Sequence, residues 1–355
     1  MRLTVRLLGP LVLLLGHVTA APAQTFTVFD APGTLTVSSS INAQGGVTGY
    51  FNDGRGGGGF VRDAAGNITV FNAPGIALAF LSVTSINSGG GVTGSFIPFS
   101  NPFRQTGFVR DASGNFTRFD APNADEPIQF GTQSLSINAA GAVTGSFQDG
   151  SQFDKRRSFV RDPFGNITVF DAPGSFPLGY GPQTATFSTS INAGGAVTGY
   201  FRDPSQGGKT RGFVRDAAGN ITVFDAPDGL STSSSSINAG GDVTGSFLGT
   251  GSKQHGFVRD AAGNFTVFDP PNAADFGTVS ASINARGDVT GYFNDVSQNL
   301  RQRGFVRDRN GNFAVFDAPN ALWTVTSSIN ARGDVTGYFL DASQGKQRGF
   351  VRSAH

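Results

Sequence analysis

The chain has 355 residues, of which 51 are Gly, 17 Pro and 34 Phe, with 14% charged residues, a formal net charge of +1 and no Cys. The missing Cys excludes disulfide staples, zinc–thiolate sites and thiol nucleophiles. A single Glu, Glu126, and scarce Lys argue against long exposed helices and coiled coils.

In chain order, the first segment reads as an address. Arg2 and Arg6 precede an apolar run from Leu7 to Val18, too short for a span that needs about 20 apolar residues. Ala21-Pro22-Ala23 then places small residues at a cleavage site, with Val18-Thr19-Ala20 as a second option. Residues 1–23 have the pattern of a secretory signal peptide. Removing them takes two Arg and no acid, which leaves 24 basic and 25 acidic residues. The rest, residues 24–355, is expected to be one domain, monomeric, secreted or periplasmic, with no membrane span.

That remainder repeats one unit seven times. Phe-Val-Arg begins at Phe60, Phe108, Phe159, Phe213, Phe257, Phe305 and Phe350, with spacings from 44 to 54 residues. Ser-Ile-Asn, Val-Thr-Gly and a Phe-Asp-Ala-Pro-like segment each recur seven times as well. Such a period marks a repeat architecture, and no stretch carries a useful 3.6-residue apolar period.

Each unit reads as four short strands. The first, Ser-Ser-Ile-Asn-Ala, ends in a Gly-containing turn such as Ala285-Arg286-Gly287-Asp288. Val-Thr-Gly-Tyr/Ser-Phe and Gly-Phe-Val-Arg-Asp follow, then Ile/Phe-Thr-Val-Phe-Asp, which Ala-Pro stops. Asp-Ala-Ala-Gly-Asn joins the third and fourth strands as a hairpin loop with Gly placed for positive φ. Ser before the Ile of every first strand suits the narrow inner edge of a wedge, and the Phe residues suit its wider outer part.

Four strands per unit in seven units predict an all-β fold, a seven-bladed β-propeller of four-stranded antiparallel blades, with an open β-solenoid as the alternative. Thr25-Phe26-Thr27-Val28-Phe29-Asp30 is a fourth-type strand with no third strand before it, and Gly349-Phe350-Val351-Arg352 is a third-type strand with no fourth after it. Pairing the N- and C-terminal strands would complete one blade and hide two edges.

The string Ser-Ile-Asn-Ala-x-Gly-x-Val-Thr-Gly-Tyr-Phe, followed further on by Arg-Gly-Phe-Val-Arg, resembles the bacterial extracellular repeats of the HAF family. The Ile-Asn-x-x-Gly-x-Val-x-Gly part matches in all seven units, and His255-Gly256-Phe257 is nearest to the His-Ala-Phe strand that names the family. The resemblance implies secretion and a propeller-like repeat, and brings no catalytic residue.

Candidate sites are few. His255 and His355 are the only histidines after the leader, which argues against a Ser-His-Asp triad or a His-based metal site. The Arg of each Phe-Val-Arg recurs in every unit and reads as structural, partnered by a neighbouring Asp or turn carbonyls. The Asp-Ala-Ala-Gly-Asn loops offer one carboxylate each and read as self-capping turns more than as calcium loops. The Asn of Asn67, Asn115, Asn166, Asn220 and Asn264 starts a glycosylation-like triplet, explained by its one hairpin position. No cofactor or metal is implied.

A pairing emerges from the comparison of units. Asp149, Asp203, Asp295 and Asp341 end second strands, while Arg157, Arg211, Arg303 and Arg348 open third strands. Units with Pro98 or Gly249 in place of the Asp carry Thr106 or His255 in place of the Arg, and Asp53 with Gly58 is the exception. Cross-strand structural ion pairs are expected. Other bases, Arg55, Arg104, Lys155, Arg156, Lys209, Lys253, Arg301 and Lys346, read as non-recurring.

The rim of two-to-three loops and unit-to-unit connections carries 12 bases against 16 acids, which excludes a nucleic-acid footprint. Its connections are expected to hold Phe80, Phe130, Phe176, Tyr180, Phe187, Phe276 and the single Trp323. One asymmetric site drawing on Phe130, Tyr180, Phe276, Trp323, Arg156, Lys209, Arg301 and Lys346 is the ligand-binding candidate. The expected function is non-catalytic binding of a glycan or a protein partner. The alternatives are a propeller glycoside hydrolase or lyase drawing two carboxylates from Asp125, Glu126, Asp154, Asp228 and Asp275, and a structural surface component.

Overall fold

The computed structural model describes residues 25–54, 56–100, 104–124, 131–152, 155–175 and 185–354, without the side chains of residues 76–80. The leader expected at 1–23 lies outside the described residues. Short 3-10 turns are the only helical elements among them, and no helix is long and apolar enough to cross a membrane.

The unit built from Thr186–Ile191, Val197–Asp203, Lys209–Arg215 and Ile221–Phe224 shows how the sequence writes a sheet. Val197, Phe201 and Phe213 have no exposed surface, so alternate positions of the middle strands are committed to packing. Each buried Phe contributes on the order of 1.5–3 kcal/mol. Gly199 sits where the sheet is tightest: a Cβ there would meet the Phe187 carbonyl oxygen at 2.0 Å and the Phe213 ring at 2.7 Å. The ladder slips between Ser188 and Ser190, and the same slip recurs just before each Ser-Ile-Asn.

Five four-stranded antiparallel sheets have this order. The strand Phe26–Phe29 pairs antiparallel with Lys346–Arg352, Phe26 opposite Arg352 and Phe29 opposite Gly349, and so supplies the fourth strand of the last unit. That unit and the first share one eight-stranded sheet, because Leu35 pairs with Gln347 in parallel. The expectation of purely antiparallel sheets is corrected here. An inner strand starts beside the third strand of the preceding unit and runs the same way, so its first residue can add a parallel bridge, as Ala185 does with Arg156.

The inner strands touch one another around a closed circuit, the last meeting the first. Asparagine side chains fasten that circuit. Asn42 Nδ2 donates to the Asn87 carbonyl at 3.0 Å, and Asn87, Asn138, Asn192, Asn238 and Asn284 each do the same to the next Asn. Asn330 Nδ2 completes the ring by donating to the Asn42 carbonyl at 3.2 Å. The serines expected to fit the narrow edge also bond outward: Ser40 Oγ accepts from the Ile86 amide at 3.4 Å, and Ser136 Oγ from Ile191 at 3.3 Å.

The Arg of each Phe-Val-Arg has a partner that the sequence did not suggest. Six of them donate to the carbonyl of the next Asp, as Arg62 does to Asp63 at 3.2 Å, and all seven lie over the fourth-strand Phe of the preceding unit. Arg62 stands 5.1 Å from the Phe29 ring centre and Arg352 4.5 Å from Phe316, and the other five follow suit.

The ring predicts a clear mutational result. Asn192 also accepts from the Ala196 amide at 2.9 Å, so Asn192→Ala leaves buried partners at both ends of one side chain. We expect a loss of about 1–3 kcal/mol in urea unfolding. A loss below about 0.5 kcal/mol would show that the bridge is dispensable.

Candidate ligand-binding face

Alternating strand direction puts the two-to-three loops and the unit-to-unit connections on one face and the asparagine ring on the other. The loop face is electrostatically quenched by repeated networks. In the third unit Arg157 Nη1 lies 3.0 Å from Asp149 Oδ2, and Arg157 Nη2 lies 3.0 Å from Asp171 of the Phe-Asp-Ala-Pro segment. Arg211 bridges Asp203 and Asp225, Arg303 bridges Asp295 and Asp317, and Arg348 bridges Asp341 and Asp30. The first Asp of each network also caps the loop that follows, Asp203 Oδ1 accepting from the Ser205 amide at 3.0 Å and its hydroxyl at 2.6 Å.

Four of the bases read as non-recurring in the sequence belong to the same networks. Lys155, Lys209, Arg301 and Lys346 stand directly opposite Asp149, Asp203, Asp295 and Asp341. Each pairs with the second Asp: Lys155 Nζ is 3.0 Å from Asp171, Lys209 3.3 Å from Asp225, Arg301 3.5 Å from Asp317 and Lys346 3.1 Å from Asp30. Variant units keep the logic. Where Gly58 replaces the Arg, Asn72 replaces the second Asp; His255 Nδ1 meets Asp269 at 2.6 Å, and Arg104 meets Asp120 at 2.8 Å.

The aromatic candidates separate. Phe130 and Tyr180 lie outside the described residues, as do Phe176, Asp125, Glu126 and Asp154, and the side chain of Phe80. Phe276 is 69% exposed on a turn. Trp323 and Phe187, expected in connections, lie instead inside the strands Ala321–Ile329 and Thr186–Ile191. Arg156 lies 5.1 Å over the Phe187 ring, which stacks on Tyr200 at 5.0 Å. Asp275 pairs with Lys253 at 2.9 Å, and Asp228 sits in a turn with φ of 55°.

One register position, read around the circuit, breaks the symmetry. The pairs of inner and second strand there are Val37–Tyr50, Ser82–Ser95, Gln133–Ser146, Phe187–Tyr200, Ser233–Ser246, Val279–Tyr292 and Val325–Tyr338. None of these residues is charged. Where Ser stands in the second strand it can bond to the next inner strand: Ser95 Oγ accepts from the Ser134 amide at 2.8 Å and Ser246 Oγ from Ser280 at 3.0 Å. Tyr50, Tyr292 and Tyr338 come from the first, sixth and seventh units, which are neighbours in the closed circuit. Their half-buried rings end in hydroxyls with no hydrogen-bond partner among the described residues. Trp323 packs edge-on against Tyr338 at 5.9 Å. Burial pushes all three phenols above their ordinary pKa, and Tyr50 and Tyr292 push Tyr338 further the same way, so the wall stays neutral at physiological pH.

No protein-family model and no curated protein matches this sequence. The fold is similar to that of solved propeller-type proteins. A streptogramin B lyase superposes with a TM-score of 0.56 at 14% identity over 93% of this chain and 98% of that one. A catalytically inactive virginiamycin B lyase from Staphylococcus aureus, solved with quinupristin, gives the same TM-score, identity and share of this chain and covers 99% of its own. Puromycin hydrolase gives 0.54 at 12% identity over 91% of this chain and 53% of its own length. These likenesses define an all-β, propeller-type scaffold and no activity.

The networks make stability depend on acid. Burial pushes the Asp203 carboxyl up, but hydrogen bonds from Ser205 and Arg211 and the Arg211 charge outweigh it and hold the group below the usual range; Asp295 behaves alike through Ser297 and Arg303. A depressed native pKa stabilises the fold above the unfolded-state value of about 3.9 and loses that contribution as pH falls through the native value. Unfolding free energy should therefore hold between about pH 7 and 5 and fall below about pH 4, with Asp203→Asn reducing the drop. A stability that rises on acidification through this window would contradict the pairing.

Proposed function

We propose that the protein is an exported, monomeric seven-bladed β-propeller that works as a non-catalytic binding scaffold, with one asymmetric site for a glycan or a protein on its loop face. The asymmetry of one register position carries this reading: seven repeated units, yet only three adjacent ones present Tyr beside Val, with Trp323 against one of them. A per-unit lectin would repeat its aromatics, and a polyanion binder would leave its bases unpaired. Export rests on the leader pattern at 1–23 and on the resemblance to HAF-type extracellular repeats. The seven-bladed form rests on the closed asparagine ring and on the terminal strand pairing.

A glycan array probed with the protein from residue 24 onward, followed by calorimetry with the sugars it selects, tests this. One equivalent per chain is expected, and Lys209→Gln should change affinity less than about twofold because that cation is already paired at a partly exposed site. Several equivalents per chain, or cleavage of the sugar, would contradict the reading. An array on which nothing binds would assign the ligand to the protein class.

A further inference from the structure

We propose that the loop face binds a neutral saccharide, held against the wall of Tyr292, Tyr338, Tyr50 and Trp323. This deepens the scaffold reading above and rests on it. Four observations on the same wall favour that chemistry. The register pairs place three phenols at equivalent heights on three consecutive units, beside Val279, Val325 and Val37. The three hydroxyls have no hydrogen-bond partner among the described residues, whereas Ser95 and Ser246 at the same height are used by the neighbouring strand. Trp323 adds an indole that is half-buried and edge-on to Tyr338. No charged side chain occupies the position in any unit.

A ligand for this wall needs an apolar face for the rings and hydroxyls that both donate and accept, and it gains nothing from charge. A neutral sugar has both, since its C–H face stacks on aromatic rings while its equatorial hydroxyls pair with phenols that can donate or accept. An acidic sugar would bring a carboxylate to a wall with no cation to meet it. On the loop face of units six and seven, Arg301, Arg303, Lys346 and Arg348 are held by Asp317, Asp30, Asp295 and Asp341.

Trp323 is the only tryptophan in the sequence, so its emission reports this wall alone. The protein is titrated with neutral gluco- and galacto-oligosaccharides, and with an oligogalacturonate as the acidic comparison. A saturable change in Trp323 emission with a neutral oligosaccharide, and none with the acidic one, is expected. Tyr50→Phe, Tyr292→Phe and Tyr338→Phe keep the rings and remove the hydroxyls, so each should weaken binding roughly 2- to 10-fold with the melting temperature kept. Trp323→Ala, followed by calorimetry, should weaken it by about tenfold.

A sugar that binds with one equivalent yet leaves Trp323 emission and all three Phe variants unaffected would overturn this site and leave the scaffold reading standing. A preference for the acidic oligomer would overturn the ligand class. Failure of every sugar, with a protein partner that shields Trp323, would also overturn the ligand class while keeping the face.

Discussion

Closure of the inner circuit is the constraint on which the rest depends. A single four-stranded sheet of this sequence has two open edges and two faces to bury, and no disulfide to hold it. Each inner strand is tied to the next by an asparagine amide, six of the seven junctions also carry a serine hydroxyl bond, and each outer strand is covered by a guanidinium from the following unit. Bonds of this kind contribute only about 0.5–1.5 kcal/mol each, but a ring has no first or last member from which to fray. The terminal pairing of Phe26–Phe29 with Lys346–Arg352 turns an array into that ring. The tyrosine wall needs it too. Tyr50 and Tyr338 lie 288 residues apart in sequence, and only closure makes them neighbours.

The loop face shows what the repeats do with charge. Each complete network places two cations against two carboxylates at the mouth of one hairpin, with the buried member, such as Asp149 or Asp203, spending its other oxygen on the loop turn. Among the described residues, most of the rim's charge is therefore already paired. On the proposed reading, recognition falls to neutral groups, which are where the units differ from one another. Repeated positions build the scaffold, and the departures from repetition mark its one candidate site.

Much of the fold could be read from the sequence because its signals are local. Alternation in Val-Thr-Gly-Tyr-Phe, the stop at Ala-Pro and the unpartnered strands at either end each point to one element or one join. The pairing of Asp203 with Arg211 was readable because both residues disappear together in other units. Its second half was missed although a matching signal existed: Asn72 replaces Asp in the unit where Gly58 replaces Arg. Lys209 and Arg301 were missed as equivalents although their spacing is constant: each stands two residues before Arg211 or Arg303, as Lys155 and Lys346 stand before Arg157 and Arg348. The asparagine ring and the Arg–Phe stacks could not be read, since each joins one unit to the next and no spacing records it. Trp323 was placed in a connection because its unit begins its inner strand early, at Ala321.

Hydrogen exchange of the backbone amides in Phe26–Phe29 is the most direct measurement of closure. In a closed ring these amides exchange only on global unfolding, with the same free energy as those of the central strand Val197–Asp203. Exchange at the rate of a fraying terminus, with the central strands still protected, would mean an open array, and Tyr50 would no longer stand beside Tyr338.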